Sequence, residues 1–188
     1  MDDTDVPPLG SLLWQVVVGL VVLTVVAGLV ALVLAEPIER FGEWFVGQFG
    51  LWGVFIGVLV LDALPGTVHE PLLLVANQGG LSYGSIVLVG GAASWLSGAL
   101  GYGIGAFLGR WPRLHALLDY YRIAPFMRKY GGWAVAVAAI TPVPYSITTW
   151  GAGATGVRLS VVLAGALLRF PKVALYLALA LLGWNAVG

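Results

Sequence analysis

From Leu12 to Ala35 the chain reads Leu, Val, Ala and Gly almost without interruption. A helix of that length crosses about 30 Å of hydrocarbon. Inside hydrocarbon, every backbone N–H and C=O must find its partner within the protein. The run therefore predicts a membrane-spanning helix, and Trp14 near its start suits the headgroup level. The composition agrees, because 60% of the 188 residues are hydrophobic and only 10% are charged. A soluble domain carries about 25% charged residues, so lipid is the expected solvent for most of this chain. Residues 1–11 form a polar, acidic tail, and the apolar run behind it is too long for a signal-peptide core.

Several functions are disfavoured by the same composition. Net charge is zero, which gives no attraction to a polyanion, and no basic patch interleaved with aromatics suggests nucleic acid. Cysteine is absent, so disulfides, thiolate catalysis and cysteine metal sites are excluded. His69 and His115 stand far apart without metal-ligand spacing. The GYGIGAFLG run at 101–109 resembles a phosphate loop in composition, but it lies within an apolar span and follows no strand. The expectation is a protein without cofactor and without enzymatic chemistry.

Beyond Ala35 the apolar segments become short and broken. Glu36 to Gln48 sets Ile38, Phe41, Phe45 and Phe49 three or four residues apart, with Glu36, Glu39, Arg40 and Glu43 between them. That pattern predicts an amphipathic helix lying in the membrane interface. The apolar piece at 51–64 ends on Asp62, Pro65 and Gly66, and a second piece near 71–76 closes at Gly79-Gly80. Residues 49–80 are expected to form a re-entrant hairpin that enters and leaves on one side. Residues 83–109 form a full span, marked by small-residue stripes at Gly90, Ser94 and Gly98 and at Ser97, Gly101, Gly105 and Gly109. Such stripes let another helix approach closely, within one subunit or between two.

Residues 110–130 hold Arg110, Arg113, Arg122, Arg128 and Lys129 against Asp119 and predict a charged interfacial segment. Residues 131–157, broken at Thr141, Pro142 and Pro144, read as a second re-entrant hairpin. Residues 159–185 are the last span, interrupted by Arg169, Pro171 and Lys172. The order interfacial helix, broken hairpin, span thus occurs twice. FGLWGV at Phe49 matches YGGWAV at Tyr130, and SIVLVGGA at Ser85 matches SVVLAGAL at Ser160. The fold class expected is an all-α integral membrane protein built as an inverted repeat of these units, plus the N-terminal transmembrane helix. Inverted repeats with broken helices are common in secondary transporters. The positive-inside rule places the 110–129 loop and the N-terminus in the cytoplasm.

The candidate functional residues lie at the breaks. Asp62 and Glu70 flank Pro65-Gly66, and ionisable groups at membrane depth face a cavity or a partner. A desolvated carboxyl is a suitable proton carrier, and His69 is a candidate relay member. The plain alternative is that these groups sit at the interface or cap a half-helix. In the second unit Thr141, Tyr145, Ser146, Thr148 and Thr149 supply hydroxyls around the prolines. Arg169 and Lys172 either snorkel to the nearer interface or stay deep. If deep, Arg169 is expected to pair with Asp62 or Glu70 or to hold a phosphate headgroup. Trp95 and Trp150 fall mid-segment and either pack or line a cavity.

These residues resemble the DedA family, the VTT-domain or SNARE-associated Golgi proteins, from about Phe41 to Leu182. LDALPGTVHEP carries an acidic-then-proline hairpin with a closing glutamate at Glu70. Tyr102, Gly105 and Gly109 fit a YxxGxxxG span, and FMRKYGGWAV, TPVP and GAGATGVRLSVVLAG follow in order. The chain looks like a divergent, short member. Where many bacterial members place arginines beside the second hairpin's proline, it has Ala139 and Tyr145. The resemblance implies two facing re-entrant hairpins in a small bundle of the plasma (inner) membrane. It also implies movement of a phospholipid or polyprenyl phosphate between leaflets, coupled to protons. A small-solute or ion transporter and a non-transporting scaffold are the alternatives.

Overall fold

The structure, a computed structural model, describes residues 9–64, 67–112, 123–141 and 145–186. Among these are seven helices and no strand: α1 (Leu9–Ala63), α2 (Glu70–Gln78), α3 (Tyr83–Leu108), α4 (Ile123–Ile140), α5 (Tyr145–Ala154), α6 (Leu159–Ala166) and α7 (Arg169–Asn185). Three helical stretches are long and apolar enough to cross a membrane: Val17–Ala63, Tyr83–Leu108 and Leu159–Asn185, the last taking in α6 and α7. The outer face of the first from Val17 to Val33 is a continuous exposed row of Val and Leu. In water such a patch would drive association, whereas lipid solvates it.

Helix α1 is not one rod. At 1.5 Å per residue a straight helix of its length would reach about 80 Å. Its backbone leaves helical geometry at Leu34 (φ −126°, ψ 15°) and at Gly50 (φ 51°, ψ −142°). Pro37 explains the first break, since its ring crowds the carbonyl one turn back and donates no hydrogen bond. At Gly50 the positive φ demands glycine, while the space around it is open. The 35–49 rod between the breaks exposes Glu36, Glu39, Arg40 and Glu43, and Arg40 pairs with Glu36 at 2.5 Å. Its predicted apolar stripe divides: Ile38 and Phe45 pack on the protein, while Phe41 and Phe49 face outward beside Trp44.

The 51–63 rod and α2 form a hairpin. Leu72 lies against Gly57, and the Gly79 backbone lies against Gly42, so α2 runs back along α1. The second hairpin has the same form. Helix α4 kinks at Gly131 (φ 8°, ψ −84°), and Val157, just past α5, returns to contact Gly131. The chain therefore leaves this hairpin at the level where it entered.

The small-residue stripe of α3 is the seat for α5. Gly98 faces Tyr145, Gly101 faces Thr149, Gly105 meets the Trp150 backbone and Gly109 meets Ala154. From the other side Gly153 meets the Tyr102 backbone. A Cβ at Gly105 or Gly153 would strike main chain, which cannot step aside as a side chain can. On the opposite flank α2 packs on α7. Each hairpin's returning helix thus rests on the span that follows the other hairpin.

Candidate functional site

A helix that ends inside a bilayer leaves its last carbonyls without partners. At both breaks side chains reach such carbonyls, Thr67 locally and Trp150 and Lys172 from distant parts of the chain. At the end of α1 the Thr67 hydroxyl donates to the carbonyls of Leu61 and Leu64, and the Trp150 indole donates to Ala63 O at 3.1 Å. At the end of α4, Lys172 Nζ donates to Thr141 O at 3.2 Å. Trp150 and Lys172 therefore tie the breaks to the opposite half of the molecule. Trp95 acts similarly, donating to Leu163 O at 3.0 Å.

Between the two hairpin tips lies a buried ion cluster. Asp62, one residue before the end of α1, accepts on Oδ2 from Arg169 Nη2 and from Ser94 Oγ. Arg169 Nε donates to the same Ser94 Oγ at 2.6 Å, so this hydroxyl bridges the pair. His69 Nδ1 lies 3.2 Å from the other oxygen, Oδ1. Ser97 Oγ is 3.4 Å from Oδ2, but its closer acceptor is Ser94 O at 2.6 Å. The Arg169 guanidinium stands over the Tyr145 ring, 4.5 Å from its centroid. Asp62 is 8% exposed, His69 2% and Arg169 1%, so the charges are held by one another and not by solvent.

The depth of the cluster follows from the spans. Ser94 and Ser97 straddle the middle of α3, and Arg169 and Lys172 fall near the middle of Leu159–Asn185. Snorkelling is therefore not what Arg169 and Lys172 do: both are buried, and Lys172 Nζ also lies 5.0 Å from the Tyr176 ring centroid. Two polar atoms at this level have no hydrogen-bond partner among the described residues, Arg169 Nη1 and Tyr145 OH. Both are donors held by the same ring–guanidinium stack.

Of the residues expected to act, the structure gathers Asp62, His69, Arg169 and Tyr145, with Lys172, Thr141 and Trp150 as braces at the hairpin ends. Glu70 does not join them. It is half-buried in the first turn of α2, close enough for its charge to act on Lys172 and Tyr176, yet it makes no hydrogen bond or ion pair among the described residues. Arg169 thus takes Asp62 and not Glu70. The hydroxyls expected around the second break find local acceptors. Thr141, Thr148 and Thr149 bond back to carbonyls one turn earlier in their own helices, as threonines in apolar helices do. Pro65, Pro142 and Pro144 lie outside the described residues, as do Arg113, His115, Asp119 and Arg122.

Ser94 was legible only as part of a packing stripe. Its mid-span hydroxyl, in a chain with a charge expected at the same depth, was the available signal. Compared with models of known protein families, with curated proteins and with solved structures, the chain matches none.

Proposed function

We propose that the chain is a membrane transport protein that carries a lipid with an anionic, phosphate-type headgroup between leaflets, with Asp62 as its proton carrier. The observation behind this reading is the meeting of both hairpin breaks and the broken last span on one buried Asp62–Arg169 pair at mid-depth. A buried ion pair contributes little to stability against an apolar replacement, so a charge pair at this depth suggests a task. An arriving phosphate can replace Asp62 as the partner of Arg169, using Nη1 and the Tyr145 hydroxyl as further donors. A buried carboxylate without its counter-ion is costly, so Asp62 takes up a proton as the headgroup binds. Release of headgroup and proton on the other side restores the pair.

The architecture supports the same reading. The packing of α2 on α7 and of α5 on α3 fits two inverted units whose broken helices meet at their interface, the arrangement of many secondary transporters. The amphipathic 35–49 rod fits an interfacial helix, and the hairpins fit re-entrant elements. We read the chain as a divergent DedA-type protein of the plasma membrane, in which Arg169, from the last span, substitutes for the family's hairpin arginines.

Reconstitution in liposomes with leaflet-reporting lipids tests this. Exchange of anionic lipid above protein-free vesicles, lost in Asp62→Asn and Arg169→Gln, is expected. No exchange across several headgroups with and without a pH gradient would sink the reading. Uptake of a soluble anion with leaflets unchanged would replace it with a small-solute transporter.

A further inference from the structure

The last span is shared between two cores. Val173 and Leu177 of α7 are buried in a first core with Val54 and Val58 of α1 and Leu73 of α2. Val162 and Ala166 of α6 are buried in a second, with Val135 and Ala138 of α4 and Ala152 of α5. Helix α3 is divided at the same level. Ile86 and Ala93 belong to the first core, whereas Trp95 and Tyr102 pack against the second. Ser94, between them, bonds to both Asp62 and Arg169.

The hydrogen bonds follow the same division. Tyr83 OH donates to Ala174 O at 2.7 Å and ties α7 to the early half of α3. The Trp95 indole donates to Leu163 O at 3.0 Å and ties α6 to the later half. Gly165 also sets α6 against the α4 backbone at Gly132 and Ala136, while Gly91 seats the Phe170 ring of α7 on α3.

Between its halves the last span tightens. The N–H groups of Leu167, Leu168 and Phe170 bond three residues back, to Ala164, Gly165 and Leu167, at 3.2–3.3 Å. Pro171 has no N–H to give. A tightened turn inside a longer helix has poorer bonds and marks a hinge. It also leaves Leu163 O, which an α-helical Leu167 N–H would occupy, to the Trp95 indole.

We infer that residues 167–168 are the joint between two bodies. One body is the 51–63 rod, α2, the early half of α3 and α7; the other is the later half of α3 with α4, α5 and α6. Helix α3 runs unbroken through both and is the axis on which they turn. Trp95 is a positioning residue that keeps α6 in the second body, so that motion is confined to the joint. Arg169, the first residue of α7, moves with Asp62, whereas Tyr145 moves with the other body. Bending therefore parts the ring–guanidinium stack, where Arg169 Nη1 and Tyr145 OH stand without partners among the described residues. Use of that opening by a headgroup rests on the transport reading; the joint does not.

The chain has no cysteine, so introduced pairs can carry spin labels in the full chain in nanodiscs. Leu159 and Leu182 span the joint, about 35 Å apart along a straight helix. Leu88 with Leu182 reports the first body and Phe107 with Leu159 the second, and all four positions are exposed. Trp150→Phe with Lys172→Met cuts two bonds that cross between the bodies. It is expected to shift the 159–182 distance by several Å and to leave the other two pairs unchanged. Pro171→Ala, which returns an N–H, should narrow the 159–182 distribution. Trp95→Phe keeps the ring without its donor and should broaden 107–159 alone. An unchanged 159–182 distribution in Pro171→Ala, or equal shifts in all three pairs in the double variant, overturns the joint. A 107–159 distribution as narrow in Trp95→Phe as in wild type overturns the role of Trp95. If the double variant does not fold, the two single variants decide. Loss of lipid exchange with the joint still moving counts against the transport reading alone.

Discussion

Arg169 and Asp62, 107 positions apart in the chain, form a buried ion pair with Ser94 Oγ bonded to both. Neither residue could be tolerated at that depth alone. The pair therefore fixes how the end of α1, the middle of α3 and the start of α7 sit together. It is also the only place where both oxygens of a described buried carboxylate are engaged by partners from three other segments.

Removing one partner leaves the other charged and unpaired. Arg169→Met or Asp62→Leu should cost about 3–5 kcal/mol, seen as a large fall in thermal unfolding temperature in detergent. The double variant Asp62→Leu, Arg169→Met should recover most of that loss while leaflet exchange stays absent. If the double variant is as unstable as the worse single one, pairing is not what holds these residues. Glu70→Gln, which breaks no ion pair, should unfold within about 0.5 kcal/mol of wild type.

The Tyr145 hydroxyl separates a structural from a functional role. It is buried without a partner among the described residues, so Tyr145→Phe removes an unsatisfied group and keeps the ring under Arg169. Stability should stay level or rise by up to about 1 kcal/mol. Exchange of anionic lipid should nonetheless fall, because the phosphate loses a donor. A variant with wild-type exchange would remove Tyr145 from the proposed transport site.

Much of this organisation was legible because membrane depth restricts polar residues severely. Asp62 and Arg169 could be picked out because each interrupts an apolar segment, His69 because it stands beside Glu70, and Gly105 and Gly109 announced a close approach by their spacing. What could not be read was partner choice. Arg169 had two carboxylates within plausible reach, and only the fold places Asp62 beside it and Glu70 at the first residue of α2. The break in α1 at Gly50 falls at the expected junction between the 36–48 segment and the hairpin that begins at 49, although its left-handed geometry, φ 51°, leaves no mark in the hydrophobic pattern. The bonding of the threonines was not legible either, because a hydroxyl near a break can face a cavity or close on its own helix, and the sequence is the same in both cases.

The carbonyl ends of the broken helices should show a measurable dependence on their distant donors. Trp150→Phe keeps the ring but frees Ala63 O, and Lys172→Met frees Thr141 O. Each is expected to cost about 1–2 kcal/mol. Amide hydrogen exchange should rise locally, in the last turn of α1 for the first variant and of α4 for the second. Protection unchanged at those turns would mean that the two bonds do not hold the tips.

The seat of α5 on α3 gives a test that depends on geometry alone. At Gly105 an added Cβ meets the Trp150 backbone, whereas at Gly103, two residues away on the outer face, it meets nothing within 4 Å. Gly105→Ala should therefore push the helices apart and cost about 1–3 kcal/mol. Gly103→Ala should be neutral or slightly stabilising, because alanine favours the helix by up to about 1 kcal/mol. Thermal unfolding of the two variants side by side checks the contrast, and spin labels at the exposed Phe107 and Ile147 positions would read any separation directly. Equal behaviour of the two glycines would mean that α5 does not sit on this face of α3. The Trp150 bond that ties one hairpin to the other would then lose its geometric basis as well.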